Sequence, residues 1–229
     1  MFVRFLNTPD NALEIPGVWK NKRDNGCRIP INALPLLGHP LPTTVGAKEL
    51  GQTLKSEHIH DWVRTFLMDH QRLILKKALT REGFSAWSPP GSGKTLCGVV
   101  WLAADSGVKL VVTKAAARGT WKEEIRKYTT FKPMVLMGQG LKKGSLRGRV
   151  DSSTILITAW ETLIYWKDAL SDLGVSSLVM DEIHWAKNPK RVKAVVSKSG
   201  NTNWQPLPNT AAAIFALAQG ARRRFGLTA

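Results

Sequence analysis

One short stretch, residues 88–95, constrains the fold of this chain more than any other. Its sequence is Ser-Pro-Pro-Gly-Ser-Gly-Lys-Thr, and it stands between an apolar run, residues 83–87, and a helix-forming run, residues 95–104. The glycines allow the backbone to curl so that successive N–H groups converge, and the N-terminus of the following helix adds a partial positive charge. The sequence therefore predicts a strand, an anion-binding loop and a helix in direct succession.

The side chains of this loop suit a nucleoside triphosphate. Lys94 would reach the β- and γ-phosphates, and the Thr95 hydroxyl would be left for Mg²⁺. Ser88 stands where the motif usually has its first glycine, which favours the helicase-type variant over small GTPases. The alternative is a glycine-rich turn that merely precedes a lysine, but the flanking strand and helix favour the phosphate loop. The predicted nucleotide-binding residues of the loop are Pro90, Gly91, Ser92, Gly93, Lys94 and Thr95.

A second motif supplies carboxylates. Asp181 and Glu182 follow a short apolar run, residues 178–180, that can form a buried parallel strand. Ligands bind beyond the carboxyl ends of strands in open α/β sheets. Asp181 is predicted to hold Mg²⁺, directly or through water, and Glu182 to position and activate the attacking water. An ordinary acidic loop is the alternative; the strand and helix patterns between the two motifs favour a shared site.

Several further segments occur in an order that is typical of one family. They are residues 110–113 with the Gly-Thr-Trp-Lys-Glu-Glu-Ile helix at 119–125, the Ile-Thr-Ala-Trp-Glu-Thr-Leu segment at 157–163, Asp-Glu-Ile-His-Trp-Ala-Lys-Asn-Pro at 181–189, and Phe-Gly-Leu-Thr-Ala at 225–229. With these motifs the chain resembles the N-terminal motor lobe of a superfamily-two helicase, most closely the Swi/Snf-type DNA translocases. The resemblance covers roughly residues 66–229.

The resemblance implies a DNA-dependent ATP hydrolase with ATP and Mg²⁺ as ligands, in which Glu182 and Lys94 are catalytic. Gln71 resembles the glutamine by which the family reads adenine, since its amide offers one acceptor and two donors. The alternative for Gln71 is a solvated position on a helix face. The residues implied in coupling nucleotide state to DNA are Thr113, Thr158, His184 and Thr228.

Two residues depart from the family pattern. Lys114 stands where the second-strand motif usually has a proline, and Trp185 stands where a small or basic residue is usual. Contacts carried over from the family near Lys114 are therefore left open. Residues 197–208, rich in Ser, Asn, Gly and Pro, form a longer connection than the family leads us to expect and predict a surface loop.

The predicted fold class is α/β, a RecA-like, doubly wound, mainly parallel sheet with helices on both faces. Strands are expected near 84–87, 108–112, 134–137, 155–158, 178–180 and 224–228. Helices are expected near 61–79, 95–104, 119–127, 161–172, 188–196 and 210–219. This first RecA-like lobe is assigned to residues 43–229, and the chain stops within the Leu-Thr-Ala motif, so a second lobe is expected elsewhere.

The composition of residues 1–42 differs from that of the rest of the chain, because prolines separate short apolar segments. Residues 18–31 predict a β-hairpin with an Asn25-Gly26 turn. This small module resembles the substrate-recognition module that precedes the motor in annealing-helicase relatives and some phage helicases. A proline-rich strap packed on the motor is the alternative.

Charge agrees with a nucleic-acid partner, since 33 Lys and Arg against 17 Asp and Glu give a net charge of +16. We expect backbone-directed binding to double-stranded or branched DNA, a second motor lobe as partner, no membrane, and an intracellular location in cytoplasm, nucleoid or nucleus. The basic residues 141–149 form either a DNA contact or a solvated loop. Two alternatives stay open: a different P-loop motor, such as a terminase or restriction translocase, and a fragment that binds nucleotide or DNA without hydrolysis.

Overall fold

The computed structural model describes residues 47–138, 146–186 and 210–229 in full, and five further strands by their backbone alone. The helices are α1 Ala47–Leu54, α2 Val63–Phe66, α3 Asp69–Leu79, α4 Lys94–Leu102, α5 Arg118–Tyr128, α6 Leu163–Leu173 and α7 Thr210–Gly220. The strands are β1 Phe2–Phe5, β2 Trp19–Lys20, β3 Cys27–Pro30, β4 Gly83–Trp87, β5 Val108–Thr113, β6 Lys132–Val135, β7 Thr154–Ala159, β8 Val175–Asp181, β9 Val192–Val196, β10 Thr202–Pro206 and β11 Arg223–Thr228.

Six strands form one sheet in the order β4-β11-β8-β5-β7-β6, and every neighbouring pair is parallel. The chain leaves β4 at one edge, passes over β11 and β8 through α4, and enters the middle of the sheet as β5. All six strands therefore end on the same side, which we call the C-terminal edge of the sheet. This topology confirms the predicted α/β class and places the residues after β4, β5, β8 and β11 close together.

Successive side chains of β5, β7 and β8 alternate between two hydrophobic cores, one on each face of the sheet. Val111 packs with α1, α3, α4 and α5, whereas Leu110 and Val112 pack with α6 and α7. The apolar faces of α5 and α6 are buried. They comprise Trp121, Ile125 and Tyr128 on α5, and Leu163, Trp166 and Leu170 on α6. Helices thus cover both faces of the sheet.

The helix predicted at 61–79 is interrupted. Leu67 and Met68 are extended, with ψ angles of 126° and 158°, so α2 ends at Phe66 and α3 begins afresh at Asp69. Helix α1, before it, was not expected from the sequence. The fresh start matters for the site, because it puts Gln71 in the first turn of α3 rather than in the middle of a long helix.

The helix predicted at 188–196 is wrong over the residues that the structure describes. Residues 192–196 form β9, which pairs antiparallel with β10, so part of the surface loop predicted at 197–208 is also a strand. The three valines among residues 192–196 lose side-chain freedom in a helix and suit a pleated strand, and a second strand supplies the backbone partners. Residues 188–191, 197–201 and 207–208 lie outside the described residues.

The N-terminal hairpin is present as backbone. Strand β2 pairs antiparallel with β3, opposing Trp19 to Arg28, and β1 pairs antiparallel with β3 as well. The predicted Asn-Gly turn lies outside the described residues. Within the described ranges, no helix is both long and apolar enough to cross a membrane.

Candidate functional site

The loop between β4 and α4 has the backbone conformation that its glycines predict. Gly91 and Gly93 have φ angles of 78° and 74°, in the left-handed region that other residues rarely adopt. Gly93 caps α4, and a Cβ atom there would lie 2.1 Å from Nε2 of Gln71. Gly93 is therefore required both for its backbone angle and for the close approach of Gln71.

Lys94 lies folded across this loop. Its Nζ donates hydrogen bonds to the carbonyl oxygens of Ser88 at 2.8 Å and Pro89 at 3.0 Å. The buried hydroxyl of Ser92 has no hydrogen-bond partner among the described residues. The N–H of Ser88 donates to the carbonyl oxygen of Thr228 at 3.1 Å, so the start of the loop is tied to the end of β11.

Gln71 is buried against the loop, with 1% of its surface exposed. Its Nε2 donates to the carbonyl oxygen of Ser92 at 3.2 Å, and its Oε1 accepts from the N–H of Met68 at 3.0 Å. The solvated alternative for Gln71 is therefore wrong, while its contact with adenine stays a prediction. His70, which the sequence did not single out, places Nε2 at 3.0 Å from the same carbonyl of Ser92.

Asp181 ends β8 and is held by side chains from neighbouring elements. The Thr113 hydroxyl donates to its Oδ2 at 2.7 Å, and the indole N–H of Trp121 donates to the same oxygen at 2.9 Å. The indole N–H of Trp160 donates to the main-chain oxygen of Asp181 at 2.8 Å. Both tryptophans stand in family motifs, but sequence reasoning assigned neither of them a role at Asp181; an indole donor in a motif would have been the clue.

Gly98 on helix α4 leaves room for the indole of Trp121 beside Asp181. A Cβ atom at Gly98 would lie 2.6 Å from Cη2 of Trp121, so a larger residue at that position would push the indole away. The close packing of α4 on α5 thereby sets where the indole N–H points. Gly98 thus supports Asp181 through Trp121.

Glu182 has a φ angle of 55°, the only positive value among the described residues other than glycine. Such a conformation costs about 1–3 kcal/mol and is found most often at functional sites. His184 follows on the turn after β8, where its Nδ1 lies 3.2 Å from Oγ1 of Thr228 and 3.3 Å from Oε2 of Glu182. These contacts join the ends of β8 and β11.

The structure does not bring every predicted coupling residue together. Thr158 is fully buried on β7, and its hydroxyl lies 3.3 Å from that of Thr162 rather than near Asp181. Thr113 is fully buried too and donates to Asp181. Neither hydroxyl is open to a nucleic acid in this conformation, and the coupling roles of both stay predictions.

This parallel sheet, with its glycine-rich loop after β4 and its acidic pair after β8, is the RecA-like lobe of a superfamily-two helicase. Residues 21–204 match the SNF2-related domain family, and the chain belongs to that family. The mouse (Mus musculus) protein "DNA excision repair protein ERCC-6-like 2" is 31% identical over 90 residues, which cover 39% of this chain and 6% of that protein. The predicted Swi/Snf-type motor lobe is confirmed.

Solved structures share the fold. A crystal structure of the UvsW helicase from bacteriophage T4 matches with a TM-score of 0.50 and 14% identity, covering 91% of this chain and 73% of that one. A second structure of T4 UvsW matches with a TM-score of 0.51 and 13% identity, covering 84% and 36%. At these identities the likeness concerns the fold alone.

Proposed function

We propose that this lobe binds Mg·ATP at the C-terminal edge of the sheet and, together with a second motor lobe, hydrolyses it in a DNA-dependent manner. One observation carries the proposal. The phosphate loop follows β4 and the acidic pair lies at the end of β8, and these two strands are separated only by β11. Thr228 of β11 accepts from the N–H of Ser88 in the loop. Its hydroxyl lies 3.2 Å from Nδ1 of His184, which is 3.3 Å from Oε2 of Glu182. Residues far apart in sequence thus meet where α/β sheets bind ligands.

Lys94 is the residue most suited to receive phosphate. Its present partners are two neutral carbonyl oxygens, of Ser88 and Pro89. Hydrogen bonds to an anion are roughly twice as strong as those between neutral groups, so a triphosphate would draw the ammonium from these carbonyls. The left-handed turns at Gly91 and Gly93 and the unsatisfied Ser92 hydroxyl suit an anion in the same loop.

The donors at the strand ends fit Mg²⁺, which prefers oxygen ligands and keeps several waters. Thr95 and Asp181 would hold it, one in the first turn of α4 and one at the end of β8. A bound Mg²⁺ would supply charge neutralisation on the phosphates. Thr113 and Trp121 keep the Asp181 carboxylate in place by donating to its Oδ2.

Glu182 is the candidate general base for water. Its carboxylate is partly exposed, at 26%, and its Oε2 is close to Nδ1 of His184. The same nitrogen of His184 also lies by the hydroxyl of Thr228. A movement of β11 would therefore shift His184 and change its contact with Glu182. This linkage supports the implied coupling role of His184 and Thr228.

Complete turnover is proposed to need arginines from a second lobe, which stabilise charge on the transferring phosphoryl group in such motors. The run Arg222–Arg224 does not serve here. It lies at the start of β11, at the opposite end of that strand from Thr228, and Arg222 is paired with Asp105. We expect the isolated 229-residue chain to hydrolyse ATP near background.

The DNA partner is supported by the net charge of +16 and by family membership. We propose binding directed to the phosphate backbone of duplex or branched DNA, which would fall steeply as salt rises. The match covers only 6% of the length of the mouse relative, so the substrates and partners of the complete protein also belong to the proposal.

The decisive experiment is titration of a fluorescent ATP analogue with Mg²⁺ into the wild-type chain and Lys94→Ala. We expect binding to be lost in the variant, since alanine cannot replace the ammonium. Lys167→Ala is the matched control, because Lys167 is an exposed lysine on α6 whose nearest acidic partner is its neighbour Asp168. Equal affinity in wild type and Lys94→Ala would contradict the phosphate-loop assignment.

A companion variant separates binding from chemistry. Glu182→Gln should keep Mg·ATP bound but stall hydrolysis in a two-lobed protein, because an amide cannot act as a base. Unchanged turnover would remove Glu182 from the mechanism while leaving the binding site intact.

A further inference from the structure

The two residues that depart from the family pattern contact each other. Nζ of Lys114 lies 5.8 Å from the centre of the Trp185 indole. Lys114 follows β5 and Trp185 lies on the turn after β8, and these strands are neighbours in the sheet. An aromatic ring and an ammonium therefore stand side by side at the C-terminal edge.

Both residues are held in place by their backbones. The N–H of Trp185 donates to the carbonyl oxygen of Glu182 at 2.9 Å. The carbonyl oxygen of Lys114 accepts from Ala117 at 2.9 Å, and that of Thr113 accepts from Trp160 at 2.8 Å. The positions of the pair are thus fixed by the sheet, and ligand binding would not have to order them first.

The side chains themselves remain available. Trp185 is 45% exposed, so a large part of its side chain is accessible. No carboxylate forms an ion pair with Lys114 among the residues that the structure describes, although Lys114 is half-buried. The pair therefore presents a half-exposed indole beside a lysine that has no ion-pair partner among the described residues.

We propose that Lys114 and Trp185 bind one nucleotide of an unpaired strand, the indole stacking on the base and the ammonium contacting an adjacent phosphate. Aromatic stacking combined with a basic groove is how proteins hold single strands without sequence preference. Bases in an intact duplex are already stacked on each other and cannot offer a face to the indole. The proposal rests on the proposed function and adds to it a preference for unpaired nucleotides at this position.

A nucleic acid suits the pair better than a protein surface does. The chain carries +16 net charge, and in this pair a cation stands beside a half-exposed indole. A partner protein would need an acidic group next to an aromatic pocket, whereas each nucleotide carries a phosphate and a base at this spacing by its own chemistry. The experiment below also distinguishes a contact with a partner protein.

The test uses the 229-residue chain and two labelled DNAs, a mixed-sequence single strand of about 20 nucleotides and the blunt duplex of the same sequence. Fluorescence anisotropy gives both affinities at fixed salt. Trp185→Ala should weaken single-strand binding about tenfold or more and duplex binding less than about twofold. Trp185→Phe should retain most of the affinity, because phenylalanine also stacks. Phe215→Ala, which removes a similarly exposed aromatic (49%) from α7, should change neither.

Lys114→Met tests the phosphate contact separately. It should reduce the salt dependence of single-strand binding by about one phosphate contact. Lys127→Met is the matched control, since Nζ of Lys127 also lies near a ring, 5.1 Å from the centre of Tyr128, but at the far end of α5. An unchanged salt slope in Lys114→Met would overturn the assignment of Lys114.

The outcomes separate this inference from the proposed function. If wild type binds DNA and the Trp185 variants lose no affinity, or lose it equally for both DNAs, the stacking site is overturned and the proposed function stands; unchanged affinities would then indicate a protein contact. If wild type binds neither DNA, the DNA partner of the proposed function fails as well. Thermal unfolding of each variant checks its fold, and Trp185→Phe keeps the test decisive if Trp185→Ala is unstable.

Discussion

Two aspartates, one at the N-terminal and one at the C-terminal end of the central strands, have similar hydrogen bonds but different charge environments. Asp105, before β5, accepts from the hydroxyl of Ser177 at 2.6 Å and from the guanidinium of Arg222. Asp181, at the end of β8, accepts from Thr113 at 2.7 Å and Trp121 at 2.9 Å. Strand β8 contributes to both sites, with Ser177 near its start and Asp181 at its end.

The difference lies in the partners' charge. Burial alone would raise the pKa of Asp105, but hydrogen bonds from Ser177 and Ser176 and the charge of Arg222 hold it below its usual value. Asp181 has only neutral donors, and no described lysine or arginine forms an ion pair with it. Asp105 is thus compensated within the fold, whereas Asp181 keeps a negative charge that a cation can use.

Two lysines differ in a similar way, one being buried in the fold and the other lying at the predicted ligand site. Lys109 is fully buried; its Nζ donates to the carbonyl oxygens of Gly107 and Ser152 and lies 4.7 Å from the ring centre of Phe131. Burial lowers the pKa of Lys109. Lys94 also donates to two carbonyls, but it is only half-buried and stands at the first position of α4, directly after the loop. Similar bonds therefore fix one lysine in the core and leave the other able to exchange its partners.

The largest expected effect is that of Asp181→Asn on Mg²⁺-dependent nucleotide binding. The cation supplies several kcal/mol of charge stabilisation, so we expect the enhancement of binding by Mg²⁺ to fall by about a hundredfold or more. The fold should be nearly unaffected, because the Asn oxygen can still accept from Thr113 and Trp121. Titration of an ATP analogue with and without Mg²⁺ measures this. If the variant retains the full enhancement of binding by Mg²⁺, Asp181 does not hold the cation and the proposed difference between Asp181 and Asp105 is wrong.

Asp105→Asn should have the opposite profile. Removing the charge leaves Arg222 without its partner and weakens the bond from Ser177, which we expect to cost about 2–3 kcal/mol of unfolding free energy. This figure is below that of a fully buried pair because the Arg222 side chain is 64% exposed and solvent screens it. Urea unfolding measures the loss, and nucleotide affinity should stay within about twofold. A large loss of affinity in a stable variant would contradict the structural role of Asp105.

The sequence was sufficient to predict the parallel sheet and the phosphate loop, because periodicity and glycine placement are local properties. Gln71 against Ser92 and Trp121 against Asp181 could not be predicted this way. These contacts join residues separated by 21 and 60 positions and depend on how helices pack on the sheet. The antiparallel pair β9 and β10 was missed for a related reason, since a strand is stabilised by a partner that lies outside its own pattern.

A smaller effect is expected when Asp181 loses one of its two side-chain donors, in Trp121→Phe. It removes one neutral donor from Asp181 and keeps most of the buried ring, so we expect a loss of about 1 kcal/mol in stability. Mg²⁺ affinity in the nucleotide complex should fall severalfold, because the carboxylate is oriented less well. Trp160→Phe is the control, as its indole donates to the main-chain oxygen of Asp181. Equal effects of both variants on Mg²⁺ affinity would indicate general loosening rather than orientation of the carboxylate.

The smallest expected effect is the pH dependence that Asp105 contributes. Its pKa is lower in the folded chain than in the unfolded one, where it is about 3.9. The folded state therefore binds this proton less readily, and the contribution of Asp105 to stability is fully present above about pH 5 and lost as pH falls through the lower, folded pKa. Because other carboxylates titrate in the same range, the informative quantity is the difference in unfolding free energy between wild type and Asp105→Asn. We expect that difference to be constant from about pH 5 to 7 and to shrink below about pH 4. A difference that stays constant down to about pH 3 would show that the stabilising contacts of Asp105 do not depend on its charge, and Asp105 and Asp181 would then no longer differ in the way proposed.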